Sequence, residues 1–104
     1  MELQTRLSSA ALQRISEEAM LYMCACPGQV AAEISRLREL HRYQQECLSN
    51  PDNAAEVHHL IAGATAQAHA ALETCLEKIL DIEGWDRRTL KMPEGLRQQR
   101  DKLL

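Results

Sequence analysis

A run of about thirty residues between two helix-terminating signals constrains the fold of this chain most. Asn50-Pro51 precedes the run and Gly84-Trp85 follows it, and the run itself carries apolar residues at helical spacing. Asn53 stands where a capping side chain is expected, with Glu56 three residues later. The pattern predicts one helix over 53–83, roughly 45 Å long at about 1.5 Å per residue.

Two further helical patterns lie on either side of Pro27. Before it, apolar residues recur at alternating spacings of three and four and predict a helix over about 3–25. Proline cannot donate to the preceding turn and disfavours helical geometry at Cys26, yet it is well suited to the first turn of a new helix. A second helix is therefore predicted over about 28–49.

The composition restricts the core that these helices can build. Phenylalanine is absent, and the aromatic residues are Tyr22, Tyr43 and Trp85 alone. A chain of 104 residues with 26% charged residues is one ordinary globular domain. We predict an all-α fold, an up-and-down three-helix bundle over 1–84, followed by a basic tail over 85–104 with a short helix from about residue 93. Because a thin aliphatic core favours burial of more surface by association, we predict that the bundle pairs as a homodimer.

One face of the predicted third helix carries mostly small side chains, which permit close approach of another helix. We predict that this face is the self-association interface. Its residues are Val57, Ile61, Ala64, Ala68, Ala71 and Cys75.

A lone tryptophan followed by basic residues resembles a protein-interface anchor in composition. Trp85, Arg87 and Arg88 are therefore predicted as an exposed contact for a second protein. In the alternative interpretation, Trp85 closes the end of the bundle.

Four sulfur-containing side chains lie within seven residues before Pro27, namely Met20, Met23, Cys24 and Cys26. Thiolate and thioether ligands suit Cu(I), and a thiol at a helix N-terminus is activated by the helix dipole. One hypothesis is therefore a soft-metal or thiol-redox site at this corner. The other is that these residues fill a helix corner as small, flexible hydrophobic side chains. No other cofactor is expected.

The formal net charge of −3 excludes a globally basic nucleic-acid binder. The charge is uneven, since residues 54–83 hold one Lys and five acids, whereas residues 84–104 hold six Lys or Arg and three acids. Weak nucleic-acid contact through this tail is a second alternative function. The N-terminus lacks a signal-peptide pattern and no apolar run approaches the roughly 20 residues of a membrane span, so we expect a cytoplasmic protein with its four cysteines as thiols.

Catalytic patterns are missing from the sequence: there is no zinc pattern, no nucleophile elbow and no phosphate-binding glycine loop. Glu56 and His59 form one E-x-x-H, whereas a di-iron bundle needs two, with further glutamates on facing helices. A dimer could double this motif, and Glu17 or Glu18 could supply the further glutamates, but Glu56 stands where it can simply cap the helix. His59 is expected on an outer face with Glu73 and Glu77, as one of the surface histidines of a long helix. We therefore predict a non-enzymatic adaptor or regulatory subunit that contacts itself and another protein.

Overall fold

The computed structural model describes residues 2–20 and 26–93, and this part of the chain is all-helical. It contains three helices, α1 (Ser9–Ala19), α2 (Cys26–Leu48) and α3 (Ala55–Glu83). The described residues form no strand, and a single antiparallel bridge joins Asp86 to Lys91. The predicted all-α class is confirmed. The short helix expected from about residue 93 lies outside the described residues.

The first helix is shorter than its pattern predicts. Ser8 is extended, and its hydroxyl accepts the backbone N–H of Ala11 at 3.0 Å, so α1 starts at Ser9 and the predicted start at residue 3 is wrong. Leu7 is buried from a non-helical bend rather than from a helix. The helix also ends earlier than predicted, at Ala19.

The second and third helices follow their patterns closely. α2 begins at Cys26, with Pro27 in its first turn, and ends one residue before the predicted end. At the end of α3, Gly84 has a φ of 77°, and the N–H of Trp85 donates to the carbonyl of Leu80 at 2.9 Å, which is the expected glycine stop. The predicted capping role of Asn53 is wrong: Ala54 occupies the N-cap, and the Asn53 amide donates to the Cys47 carbonyl at 2.8 Å.

The apolar core occupies one end of the molecule, which we call the base: α1, residues 26–38 of α2, and residues 69–92. Its fully buried aliphatic side chains come from all three helices, and Trp85, Leu90 and Met92 complete the cluster. The predicted boundary at residue 84 is therefore wrong, because the chain after Gly84 returns to cover the base. The fully buried aliphatic residues are Leu12, Ile15, Ile34, Leu76 and Leu80.

Beyond the base, only α2 and α3 continue, and we call this part the arm: residues 39–48 and 55–68. Its buried residues are small or polar, and none is a large aliphatic side chain. They are His41, Gln44, Ala62, Thr65 and Ala66. The arm accounts for the elongated shape of the protein, whose principal extents are 58 × 22 × 18 Å.

Side-chain contacts set the register of α2 against α3. Arg38 contacts His69 and Glu73, whereas Gln44, further along α2, contacts His58, which is earlier on α3. The Nδ1 atom of His58 lies 2.6 Å from the Gln44 side-chain oxygen. Packing of α2 against both α1 and α3 supports a helical bundle.

Candidate functional site

The six α3 residues predicted for self-association form a continuous exposed strip, which we call the seam. Val57 is 52% exposed, and only Ile61 is half-buried; the remaining four side chains are exposed. Ile82, seven residues after Cys75, continues the same spacing and is 84% exposed. The seam therefore runs along almost the whole of α3 without being covered by the described part of the chain.

Helix geometry places the seam opposite the N-terminal segment. Residues nine apart differ by about half a turn, because each residue rotates the helix by roughly 100°. Ala66 and Ala70 line a shallow depression with Glu2 and Gln4 of the N-terminal segment. Cys75 and Ile61 stand nine residues from these two alanines and therefore lie on the opposite flank of α3.

The neighbouring flank of α2 adds a larger apolar side chain to this surface. Leu40 is nine residues from Ala31, which is buried in the base on the side of α2 that receives α1. Leu40 is 40% exposed and lies on the flank away from α1. We use the name open face for the seam together with Ile82 and Leu40.

A second feature is a charge cluster buried where the arm joins the base. Its core is Glu73 of α3, whose side chain is 2% exposed and whose Oε1 atom accepts from Nη2 of Arg38 at 2.8 Å. The fully buried His69 ring lies one turn before Glu73, and its Nε2 accepts from Nε of Arg38 at 3.0 Å. An ion pair this enclosed is favourable only when its remaining hydrogen-bonding groups are also satisfied.

The N-terminal segment supplies those remaining partners. The Oε2 atom of Glu73 accepts the backbone N–H groups of Arg6 at 2.7 Å and Leu7 at 3.2 Å. Arg38 donates to the Leu7 carbonyl and, at 3.2 Å, to the Ser9 hydroxyl. One carboxylate and one guanidinium thus hold the backbone of a non-helical segment against α2 and α3.

The protonation state of His69 follows from this arrangement. An arginine N–H can only donate, so Nε2 of the neutral ring is the acceptor and the ring proton is on Nδ1. Nδ1 is buried and has no hydrogen-bond partner among the described residues. Burial lowers the pKa of His69, with Arg38 and His41 acting in the same direction and Glu73 opposing them.

Sequence reasoning missed this cluster and placed one of its members wrongly. Glu73 is predicted on an outer face with His59, yet it is buried, as is His69. The signal that finds them is the inward face of α3, which runs through Thr65 and Leu76 and includes His69 and Glu73 by helical spacing.

The predicted partner contact after α3 is only partly exposed. Trp85 is 5% exposed and its indole N–H donates to Glu83 at 2.9 Å, so an exposed tryptophan anchor is wrong and Trp85 instead closes the end of the core. Arg87 forms ion pairs with Asp81 at 3.0 Å and with Glu77 at 3.5 Å. Arg88 is exposed and remains a predicted contact.

The structure describes half of the predicted soft-metal corner. Met20 is 78% exposed and Cys26 is exposed at the first residue of α2, while Met23 and Cys24 lie outside the described residues. Within the described ranges, no group of three or more His, Cys, Asp or Glu side chains is arranged to hold a metal ion. Cu(I) or redox chemistry at this corner stays a prediction.

The residues considered for a di-iron site lie in different parts of the described structure. Glu56 and His59 are exposed in the arm, whereas Glu18 is buried in the base, where it accepts the Met92 N–H at 3.1 Å. Glu17 is exposed on α1. The described carboxylates are therefore not gathered around Glu56 and His59.

Comparison with known proteins gives no relative, since no family model, no characterised protein and no solved structure matches the chain. None of the helices in the described part of the chain has the length and apolar character needed to cross a bilayer.

Proposed function

We propose that this protein is a homodimeric helical adaptor of the cytoplasm, an up-and-down three-helix bundle that pairs with a second copy through the open face and presents its outer surfaces to another protein. The observation that carries the proposal is the exposed apolar strip along α3. In the arm, Val57, Leu60 and Leu40 point outward while polar side chains are buried between the helices. Exposed apolar surface of this extent is typical of interaction sites.

The size of the open face matches what a dimer needs. From Val57 to Ile82 the open face is about 38 Å long at about 1.5 Å per residue. Together with the whole flank of α2 beside Leu40, a surface two helices wide, at about 10 Å each, covers on the order of 750 Å² per copy, close to the roughly 800 Å² that each partner contributes to a stable interface.

Side-chain sizes along the seam favour antiparallel pairing of two α3 helices. About a centre between residues 69 and 70, Val57 meets Ile82 of the second copy, Ala64 meets Cys75, and Ala68 meets Ala71. Large side chains thus pair at the ends and small ones at the centre, where the backbones approach most closely. Antiparallel pairing also sets opposite ends of the helix dipoles side by side.

Parallel pairing is less favourable for the same sequence. Every seam residue then meets its own copy, which puts two Lys78 ammonium groups together. In the antiparallel register Lys78 lies opposite Ile61, and its aliphatic stem can cover that side chain while the charge reaches water.

The first experiment is native mass spectrometry of the full chain with Ala68→Glu as the disrupting variant. We expect the wild-type protein at twice the chain mass of 11.8 kDa and the variant at the single mass, because two buried glutamates would face the centre of the seam. Ala70→Glu makes the same change on the opposite, exposed flank of α3 and should remain dimeric. A monomeric wild-type protein, or a dimeric Ala68→Glu variant, would contradict the proposed interface.

Cysteine cross-linking then tests the register. In a background with Cys24, Cys26 and Cys47 replaced by serine, Ala64→Cys should form an intermolecular disulfide with Cys75 under mild oxidation. Cys75 alone should not cross-link, and neither should Ala70→Cys with Cys75. Efficient cross-linking by Cys75 alone would indicate the parallel register instead.

A further inference from the structure

Residues 2–8 have no helix or strand of their own, yet they are held firmly at one point. Four hydrogen bonds tie this segment to α2 and α3: Glu73 accepts the Arg6 and Leu7 N–H groups, Arg38 donates to the Leu7 carbonyl, and the Arg6 side chain donates to Glu77 at 3.4 Å. The Leu7 side chain is 7% exposed, whereas the Arg6–Glu77 pair is largely exposed on the Arg6 side. The buried Arg38–Glu73 pair therefore takes part in three of the four bonds that keep this segment on the helices.

The neutral ring of His69 belongs to the same arrangement. It accepts the Nε hydrogen of Arg38 and thereby fixes the plane of the guanidinium, whose Nη2 donates to both Glu73 and the Leu7 carbonyl. The ionisable groups that face the ring are Glu73 from its own helix and Arg38 and His41 from α2, while the N-terminal segment contributes the Leu7 backbone.

Uptake of a proton by His69 changes the contacts that Arg38 makes. The ring loses its acceptor, so the Nε hydrogen of Arg38 meets a second N–H, and two cations come within hydrogen-bond distance. The new imidazolium also competes for Oε1 of Glu73, which is 3.4 Å from Nε2. Arg38 must then move, and the Leu7 carbonyl loses its donor.

We infer that residues 2–8 form a strap that leaves the flank of α3 when His69 is protonated, and that settles back when the ring is neutral. Release exposes the site of Leu7 and opens the depression that Glu2 and Gln4 form with Ala66 and Ala70. This strap lies on the opposite side of α3 from the seam, so the switch is independent of the proposed dimer.

Backbone hydrogen exchange of the full chain tests the strap directly, because the Arg6 and Leu7 amides are protected only while Glu73 holds them. After correction for intrinsic rates, we expect their protection to fall by up to about tenfold between pH 7.5 and pH 5.5, since pH 5.5 lies about one unit below the ordinary histidine pKa of about 6.5 and one unit corresponds to a factor of ten. Amides of α3 in the base, such as that of Leu76, should stay protected over the same range.

Matched variants separate the switch from general acid sensitivity. His69→Gln keeps a side-chain oxygen that can accept from Arg38 but cannot titrate, so its Arg6 and Leu7 amides should remain protected at both pH values. His59→Gln, on the exposed side of the arm, should behave as the wild type. In the wild type, the His69 ring resonances and the Leu7 amide should titrate together, and this readout does not depend on the stability of a variant.

Three results would overturn the inference. The first is unchanged protection of Arg6 and Leu7 down to pH 5.5, and the second is a His69→Gln variant that keeps the wild-type pH dependence. The third is parallel loss of protection at Leu76, which would mean that the whole domain opens instead of the strap.

Discussion

The base and the arm of this protein use the same two helices with opposite distributions of side chains. In the base, α2 and α3 bury Ile34, Leu76 and Leu80 against α1 and the segment after Gly84. In the arm, the same helices bury His41, Gln44 and Thr65 and expose Leu40, Val57 and Leu60. Within the described chain, hydrophobic burial therefore stabilises the base much more than the arm.

In the proposed dimer, folding and association draw on different faces of α3. The base has enough aliphatic burial to fold as a unit, whereas the arm contributes its apolar area only when something covers it. The Arg38–His69–Glu73 cluster lies at the junction, where the polar interior of the arm meets the apolar core. Changes at the junction, in the base and in the arm should consequently have effects of different size.

The largest effect is expected at the junction. Glu73→Gln leaves the Arg38 guanidinium largely buried without its counter-charge and weakens the acceptor for two backbone N–H groups. Breaking a buried pair in this way costs about 3–5 kcal/mol. Urea denaturation should show that loss, while Glu77→Gln, a change of the same chemistry at a more exposed pair, should stay within about 1 kcal/mol of the wild type. Equal effects of the two variants would mean that the cluster does not organise the junction.

Leucine truncation compares base and arm on the same helix. Leu76→Ala removes a fully buried side chain and should destabilise the protein by about 2–5 kcal/mol. Leu60→Ala removes one that is 74% exposed and should change the stability by at most about 0.5 kcal/mol. The measurement is the free energy of unfolding in urea for both variants. A large loss for Leu60→Ala would show that residue 60 is covered, as it would be within a larger interface.

Acid should weaken the junction before it affects the exposed arm. The pKa of His69 is lowered in the folded state, first by burial, so the unfolded chain binds this proton more tightly. The stability contribution of the neutral ring is complete above the unfolded value of about 6.5 and is lost as the pH falls below it, by up to about 1.4 kcal/mol per pH unit. Urea midpoints at pH 7.5 and 5.5 should differ less in His69→Gln than in His59→Gln or the wild type.

The smallest effect comes from two helix glycines in the two regions. At Gly63 in the arm an added Cβ meets nothing within 4 Å, so Gly63→Ala should stabilise the protein by about 0.5–1 kcal/mol through helix propensity. At Gly28 in the base an added Cβ would lie 3.1 Å from the Cβ of Ala19, where α1 and α2 approach. Gly28→Ala should therefore gain less than Gly63→Ala or lose stability in a thermal melt. If Gly28→Ala were instead the more stabilising of the two variants, α1 and α2 would not approach closely at Gly28.

Local sequence signals predicted most of the secondary structure but failed where long-range contacts decide. Pro27 and Gly84 act within their own turns, and α2 and α3 end within one residue of prediction. The predicted start of α1 was wrong because Leu3 and Leu7 fit helical spacing, although Glu73, 66 residues further along, holds Leu7 in a non-helical segment. No local pattern contains that partner.

The two candidate sites also differ in how far the sequence predicts them. The exposure of the seam follows from helical spacing once the inward face of α3 is known, and small side chains identify it in the sequence. The buried cluster does not follow, because a histidine and a glutamate four residues apart describe an exposed ion pair as well as a buried one. His69 and Glu73 form the buried cluster through their contacts with Arg38, which lies on another helix.

The sequence by itself determined the helical class, the helix ends at Leu48 and Glu83, and the strip of small residues on α3, because proline, glycine and side-chain periodicity act over a few residues. Only the tertiary structure decided that Trp85 and Met92 return to the core, that His69 and Glu73 are buried, and that the N-terminal segment is tied to Arg38. The physical reason is that burial and charge pairing depend on which distant segments meet. In this protein the distant segments meet at one end of α2 and α3. The other end of these two helices has a polar interior and exposed apolar side chains.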